Sequence, residues 1–288
     1  LLALNGEKTL LQQTALRVKK SVKPTNFYTV THDEHKFEVL GQLSEVFPDN
    51  DSNVLSEPEA KNTLPAIALA TYDIYKKDKE AIVGVFASDH SIKDEKQFIK
   101  AWEAAESVAE DDFLVLIGIK PESPATGYGY IKLDNKIIEK PNLDVYEVGA
   151  FVEKPNKEEA VKYVKNSYLW NSGMFVFKAK VFMDLLKKHQ PVIYDLLFKI
   201  SDNNLKEIYP SFPNISMDYG LAEKVNKIAV VPAAMGWSDL GSWNSIYENG
   251  QKDQDGNLCH GAVHNLDTRN SLVWSEDNLI ATIGLNNI

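Results

Sequence analysis

Short continuous apolar runs alternate along the chain with segments in which apolar residues recur every three or four positions. The runs "FYTVT" (27–31), "AIVGVFA" (81–87) and "DFLVLIGI" (112–119) predict strands buried on both faces. Between them, "HKFEVLGQLSEVF", "TLPAIALATYDIYKK" and "EKQFIKAWEAAESVA" have helical spacing and predict crossover helices. This order predicts an α/β fold, a mostly parallel sheet with helices on both faces. In the second half, extended "YEVGAFVEK" (146–154), "GMFVFKA" (173–179) and "KIAVVPA" (227–233) alternate with helical "EEAVKYV", "AKVFMDLLKKH" and "MDYGLAEKV", which predicts a continuation of the sheet with an added lobe. From about residue 252 short β-type pieces are broken by Gly, Asn and Asp. The expected division is a main domain over 1–251 and the start of a β-type domain over 252–288.

Composition narrows the function. With 31 basic and 41 acidic residues among 288, the chain carries a formal charge of -10. That argues against a nucleic-acid or membrane-surface binder. Phosphates would have to be handled locally, by metal ions, helix N-termini and a few lysines. The single cysteine, Cys259, permits no intramolecular disulfide, and no apolar run approaches membrane-spanning length. The start "LLALNGEKTL" lacks the basic opening of a signal peptide, so the cytoplasm is the expected location.

In an open α/β sheet, ligands bind beyond the carboxyl ends of the strands. The run 81–87 delivers Ser88, Asp89 and His90 there, and Asp89 reads either as a metal carboxylate or as a helix N-cap. In "EPEAKNTLPAIALA", Asn62 and Thr63 cap a helix that tolerates Pro65, leaving a positive helix end where a nucleotide could dock. "TGYGYI" places Tyr128 between Gly127 and Gly129, either a close-approach loop with a covering ring or an ordinary strand bend. "FVEKP" delivers Glu153 and Lys154 side by side, a pair able to accept sugar hydroxyls and meet a phosphate, or a plain solvated ion pair. "WNSGMF" offers Asn171, "SMDYG" offers Asp218, and "GWSDLGSW" sets Asp239 among tryptophans and glycines. Together these residues suit a sugar phosphate and a nucleotide bridged by a divalent metal. His32 and His35 are closely spaced, and their position at a strand-to-helix turn predicts a capping role rather than the metal site of an isomerase.

In the order "EPEAKNTLPAIA", "ASDH", "TGYGYI", "FVEKP", "WNSGMF", "SMDYGLAEK" and "GWSDLGSW", the chain resembles the bacterial-type mannose-1-phosphate guanylyltransferases, or GDP-mannose pyrophosphorylases, over nearly its whole length. The resemblance implies a Rossmann-like mixed, mostly parallel sheet flanked by helices, with a short left-handed β-helix-like appendage at the C-terminus. It implies magnesium-dependent synthesis of GDP-mannose and pyrophosphate from GTP and mannose 1-phosphate. Asp89 and Asp239 would hold Mg2+. Lys154 would contact the sugar phosphate, and Glu153 and Asn171 the sugar hydroxyls. Gly127, Tyr128 and Gly129 would line the sugar and base, with Ser88 beside Asp89, Asn62 and Thr63 near guanine or ribose, and Asp218 close by. The family's glycine-rich loop of the type G-G-x-G-x-R-L does not occur in this sequence, which is therefore expected to start just after it. Related readings are another sugar-1-phosphate nucleotidyltransferase, using glucose 1-phosphate with dTTP or UTP, or a silent nucleotide-sugar-binding regulatory homologue. An appendage with exposed strand edges allows self-association as a homodimer. The product would feed polysaccharide, glycolipid or deoxysugar synthesis.

Overall fold

In the computed structural model, which describes residues 8–48, 53–138, 144–201 and 203–288, the apolar runs become strands and the periodic segments helices. The opening residues 1–7, on which the signal-peptide expectation partly rests, lie outside the described residues. The first part comprises α1 (Leu10–Val18), β1 (Thr29–His32), α2 (Lys36–Ser44), β2 (Val54–Glu57), α3 (Thr63–Lys77), β3 (Ile82–Val85), β4 (Ser91–Ile92) and α4 (Glu95–Ala109). It continues through β5 (Leu114–Ile119), β6 (Tyr130–Ile138), β7 (Val145–Val152), α5 (Lys157–Lys165), β8 (Leu169–Lys178), α6 (Ala179–His189), α7 (Pro191–Leu197) and α8 (Leu205–Ile208). β9 (Ile228–Ala233), β10 (Trp237–Ser238) and α9 (Trp243–Asn249) lead to β11 (Leu258–His260), β12 (Val263–Leu266), β13 (Leu272–Trp274) and β14 (Ile280–Ile283).

Polar caps set the helix starts. Asn62 accepts from the Thr63 N–H at the head of α3, Asp94 from the Lys96 and Gln97 N–H groups at α4, and Asn156 forms a reciprocal capping box with Glu159 at α5. Each satisfies donors that the first helical turn leaves without an internal partner. Asp94, not Asp89, thus caps α4, which removes the capping alternative for Asp89. His32 accepts from the Glu34 N–H at the turn after β1, the capping role its position predicted.

The main sheet has the order β3-β8-β5-β9-β7-β6. β3, β5 and β9 share one direction, and β5 and β9 pair in parallel, while β8 threads antiparallel between β3 and β5 and β7 pairs antiparallel with β9. The mixed α/β architecture follows the expectation, with the reversed β8 as its main refinement. β5 is buried at every position, and its side chains divide by parity. Leu114 and Leu116 join a core with Leu64 of α3, Phe182 of α6 and Ile193 of α7. Val115 and Ile117 face Phe98 and Trp102 of α4. Each such aliphatic side chain contributes about 1.5–3 kcal/mol by leaving water, so the sheet is clamped between helix layers and its strand ends are rigid supports.

Two expectations change. β1 is half-buried throughout and in β3 only Val83 is buried, because among the described residues β1 pairs only with β2 and β3 only with β8. "MDYGLAEKV" forms not an α-helix but a π-helical turn over Asp218–Ala222, whose wider winding seats Gly220 against Leu64. In the C-terminal part, Leu258 pairs in parallel with Leu272 and Val263 with Ile280, so strands of successive turns stack in the manner of a β-helix. Asn257 joins those turns from inside, donating to the Thr268 carbonyl at 2.8 Å and accepting from the Ser271 N–H at 3.1 Å.

Candidate active site

The short ladder of β4 with β10 pairs Ser91 with Ser238 and so brings the loop Ser88–Asp89–His90 beside Trp237, Ser238 and Asp239. Two backbone bonds lock the junction, from Lys93 and Asp94 N–H to the Met235 carbonyl at 3.1 and 3.0 Å. Gly236 sits there at φ +63, where an added Cβ would lie 2.8 Å from Lys93 Cβ. Trp237 Nε1 donates to His90 Nδ1 at 3.1 Å, with the rings edge to face at 5.2 Å. The neutral imidazole therefore carries its proton on Nε2, which lies 3.9 Å from Asp89 Oδ1. Burial depresses the His90 pKa, and the Asp89 and Asp239 carboxylates oppose that shift.

Tyr128 ties this edge to the sheet. Its hydroxyl donates to Asp239 Oδ1 at 2.7 Å, and its ring is packed edge-on by Trp170 at 4.9 Å and Trp237 at 5.4 Å. Burial, then the bond to Asp239, raises the Tyr128 pKa, so the phenol stays a donor. The Gly241 N–H also donates to Asp239 Oδ1, at 3.2 Å, and a Cβ on Gly241 would come within 2.8 Å of Oδ2. The tryptophan support of Asp239 is therefore indirect: Trp170 and Trp237 pack on Tyr128, which binds the acid, whereas Trp243, 60% exposed, turns toward Trp274 of the appendage.

Next to Tyr128 lies a recess. An added Cβ on Gly129 would meet Glu153 Oε2 at 2.4 Å and Asn171 Cβ at 3.3 Å. The Asn171 N–H donates to the Gly129 carbonyl at 2.8 Å, and its Nδ2 donates to Asp218 Oδ1 at 2.7 Å. Asn171 was expected beyond a strand end but lies within β8. Because β8 runs antiparallel, its Trp170–Asn171 stretch aligns with Gly118–Ile119, the carboxyl end of β5. Glu153 follows the end of β7, 8% exposed at its side chain, with Oε2 buried and without a hydrogen-bond partner. Burial, then the neighbouring Asp218, raises its pKa to about 7, and Lys154 opposes the rise. Lys154 Nζ stands 3.4 Å from Glu153 Oε1 and is 58% exposed, on a backbone at φ +48. Burial likewise raises the Asp218 pKa.

The remaining expected residues are brought in by α3. Thr63 Oγ1 accepts from the Met217 N–H at 2.8 Å, which fastens the head of α3 to the segment leading into Asp218. Asn62 caps the helix at φ +67. Ser88 is half-buried in the loop after β3. Gly127 is exposed with open space where a Cβ would stand, so nothing in the structure requires glycine there.

The profile of the family described as nucleotidyl transferase matches residues 1–256. The chain belongs to the nucleotidyl transferase family. The chain is 38% identical over 299 residues to mannose-1-phosphate guanylyltransferase of Escherichia coli, across 100% of its own length and 62% of that relative's. It is 37% identical to the alginate biosynthesis protein AlgA of Pseudomonas syringae, across 100% of its own length and 61% of that relative's. It therefore spans less than two thirds of the curated relatives it matches. A crystal structure described as mannose-1-phosphate geranyltransferase from Thermus thermophilus superposes with a TM-score of 0.83 at 28% identity, covering 97% of this chain and 81% of that one. One described as mannose-6-phosphate isomerase from Helicobacter pylori gives 0.68 at 31% identity, covering 80% and 90%.

Among the chain's described residues, no three of His, Cys, Asp and Glu converge on a metal position. What the edge offers is the carboxylate pair Asp89 and Asp239, hard oxygen donors of the kind that suit a small divalent cation keeping positions open for phosphate oxygens. Asp89 is 75% exposed at its side chain and so reachable. The residues fit such an ion. Sequence reasoning did not single out Trp170 and Trp237 as ring contacts of Tyr128, nor Glu57 and Tyr209, bonded at 2.6 Å near the head of α3. Trp170 was visible in the "WNSGMF" motif, but its partner lies in another motif. Among the described residues no helix is long and apolar enough to cross a membrane.

Proposed function

We propose that this transferase makes GDP-mannose and pyrophosphate from GTP and mannose 1-phosphate, in the cytoplasm and without a nucleic-acid or membrane partner. The observation that carries the reading is the Tyr128–Asp239 hydrogen bond, which couples the recess at Gly129, where Glu153 Oε2 is buried without a hydrogen-bond partner, to the carboxylate edge of Asp89 and Asp239. The likeness to guanylyltransferases and to AlgA supports the choice of substrates.

A phosphate oxygen of mannose 1-phosphate attacks the α-phosphorus of GTP, a new P–O bond forms, and the α–β bridging bond breaks as pyrophosphate leaves. No covalent enzyme intermediate is needed. Both reactants are anionic, so charge must be neutralised where they meet. Lys154, exposed and held by the fixed backbone after β7, meets the sugar phosphate. Glu153 and Asn171 accept and donate to sugar hydroxyls, which gives Glu153 Oε2 the partner it lacks in the free protein. Asp89 and Asp239 would hold Mg2+, which when bound supplies Lewis-acid neutralisation of phosphate oxygens. Tyr128 fixes the Asp239 carboxylate, and Asn62 and Thr63 present the N-terminus of α3 to the nucleotide. Acceleration comes mainly from positioning. We propose further that residues 1–251 form the catalytic unit and 252–288 the start of a β-helical domain through which homodimers form.

The reading is tested by pyrophosphate release with magnesium, crossing GTP, ATP, UTP and dTTP with mannose 1-phosphate and glucose 1-phosphate. Selective release from GTP with mannose 1-phosphate is expected. Preference for dTTP or UTP with glucose 1-phosphate would replace it with the related pyrophosphorylase activity, and silence across the matrix would leave a binding homologue.

A further inference from the structure

α9 is too short to hold itself. Its seven residues include none that is fully buried, and a helix of that length is marginal in water without support from its surroundings. Its head nonetheless ends a demanding turn. Asp239, Leu240 and Gly241 lead directly into the Ser242 cap, and Leu240 lies in the left-handed region at φ +50, a conformation that persists only where the neighbouring structure imposes it. On one side the turn is held by Tyr128 and by the ladder of β4 with β10. On the other it is held only as firmly as α9.

That helix is anchored in the appendage at three points. The Trp243 ring, 60% exposed, meets Trp274 of β13 at 5.8 Å with the planes tilted by 58°. The Tyr247 hydroxyl donates to the Gly256 carbonyl at 2.8 Å. Gly250, just past the helix, lies so close to β11 that an added Cβ would meet Leu258 Cδ2 at 2.5 Å. The last two contacts grip the tail of α9, and only the first reaches its head, beside the Asp239 turn. Trp274 is itself fixed: its register partner His260 stacks on it at 3.9 Å and 14°. A ladder of three rings, His260, Trp274 and Trp243, therefore runs from the coils of the appendage to the start of α9.

We propose that Trp274 is a positioning residue for the reaction: through Trp243 it fixes the head of α9, and with it the turn that sets Asp239 beside Asp89. This rests on Asp239 being a metal-binding carboxylate of the transfer. The role needs no contact with substrate. Loosening the ladder lets the strained turn relax into conformers in which the two carboxylates no longer stand together, so metal affinity and turnover fall while the sugar and nucleotide contacts stay as they are.

The experiment compares the full chain with Trp274→Ala, Trp274→Phe, Trp243→Ala and the double variant Trp243→Ala/Trp274→Ala. Mn2+ affinity is read by electron paramagnetic resonance, and pyrophosphate release is followed with magnesium, GTP and mannose 1-phosphate. Trp274→Ala is expected to weaken Mn2+ binding and to lower kcat by about 3- to 10-fold each, the weight of one aromatic pair. The KM values for both substrates stay unchanged. Trp274→Phe keeps a ring in the ladder and recovers most of both losses. Because Trp274 acts through Trp243, the double variant loses no more than Trp243→Ala alone. Additive losses would mean that the two rings act separately and overturn the proposal, as would a Trp274→Ala variant that loses Tm but keeps its Mn2+ affinity and kcat. If Trp274→Ala does not fold, Trp243→Ala leaves the appendage intact and must still weaken Mn2+ binding; an unchanged affinity overturns the proposal. A wild type that binds Mn2+ no better than Asp239→Asn removes both the metal reading and this inference. A wild type whose Mn2+ affinity depends on Asp239 but not on Trp274 removes this inference alone.

Discussion

Tyr128 and Asp239, separated by 111 positions in sequence, are joined by a 2.7 Å hydrogen bond from the phenol to Oδ1. Tyr128 comes from the loop that opens β6 and Asp239 from the turn after β10, so the bond ties the recess proposed for the sugar to the carboxylate edge proposed for the metal. Tyr128→Phe keeps the ring between Trp170 and Trp237 but frees the carboxylate to rotate. We expect kcat to fall about 10- to 100-fold, the weight of one hydrogen bond to a charged acceptor, with little change in Tm. An unchanged kcat would show that Asp239 needs no such support.

Asp239→Asn tests the acid itself. The amide oxygen can still accept from Tyr128 and from the Gly241 N–H, so folding should be nearly unaffected. Losing the negative charge removes half of the carboxylate pair, and kcat should drop at least about 100-fold. Thermal unfolding and pyrophosphate release, measured on the same sample, separate the outcomes. A large loss of Tm with activity retained would make Asp239 structural.

The main sheet was legible because its strands are continuous apolar runs and its helices keep a 3.6-residue period; the α3, α4 and α6 boundaries fall where the pattern puts them. Asp89, Glu153 and Asp239 were legible from their place after such runs. The reversed direction of β8 was not, since a strand buried on both faces reads the same whichever way it runs. Nor was Trp170 as a ring partner of Tyr128: of the tryptophans flanking Asp239 in sequence, Trp243 sits on a capped helix and turns to Trp274 instead. Glu57 and Tyr209 meet across 152 positions, and neither lies in a pattern that announces the other.

Glu153 should make stability depend on pH. Its folded pKa is raised from the ordinary 4.5 to about 7, chiefly by burial. The folded state thus holds a proton that the unfolded chain gives up more readily, a contribution fully present below about pH 4.5 and lost as pH rises through about 7. Melting temperatures of the ligand-free protein across pH 4.5–8, compared with Glu153→Gln, read this directly. The wild type should lose Tm relative to the variant over that window. Parallel curves would mean that Glu153 is ionised throughout.

Gly129 is predicted to be required for the recess rather than for the turn. An alanine methyl would meet Glu153 Oε2 at 2.4 Å and Phe151 Cζ at 3.1 Å. The end of a glutamate side chain can move aside, so Gly129→Ala should fold and yet displace the group assigned to the sugar. We expect the KM for mannose 1-phosphate to rise about tenfold or more, with the KM for GTP changed little. Equal changes in both would place Gly129 outside the sugar subsite.

Asn62 joins local strain to the proposed nucleotide side of the site. It lies at φ +67 and accepts from the Thr63 N–H at 2.9 Å. With ψ -174 this is a region that glycine alone adopts freely, so any side chain there carries about 1–3 kcal/mol of strain. Asn62→Ala keeps that strain and forfeits a cap of about 1 kcal/mol, so it should lower Tm by about 2–4 °C. Asn62→Gly relieves the strain and, as a replacement cap, costs only a few tenths of a kcal/mol. It should melt at or above the wild-type temperature. If the head of α3 also receives the nucleotide, both variants raise the KM for GTP, because both remove the side chain while only one strains the backbone. A GTP KM that follows Tm, rising in the alanine variant alone, would mean that Asn62 shapes the helix start and does not touch the nucleotide.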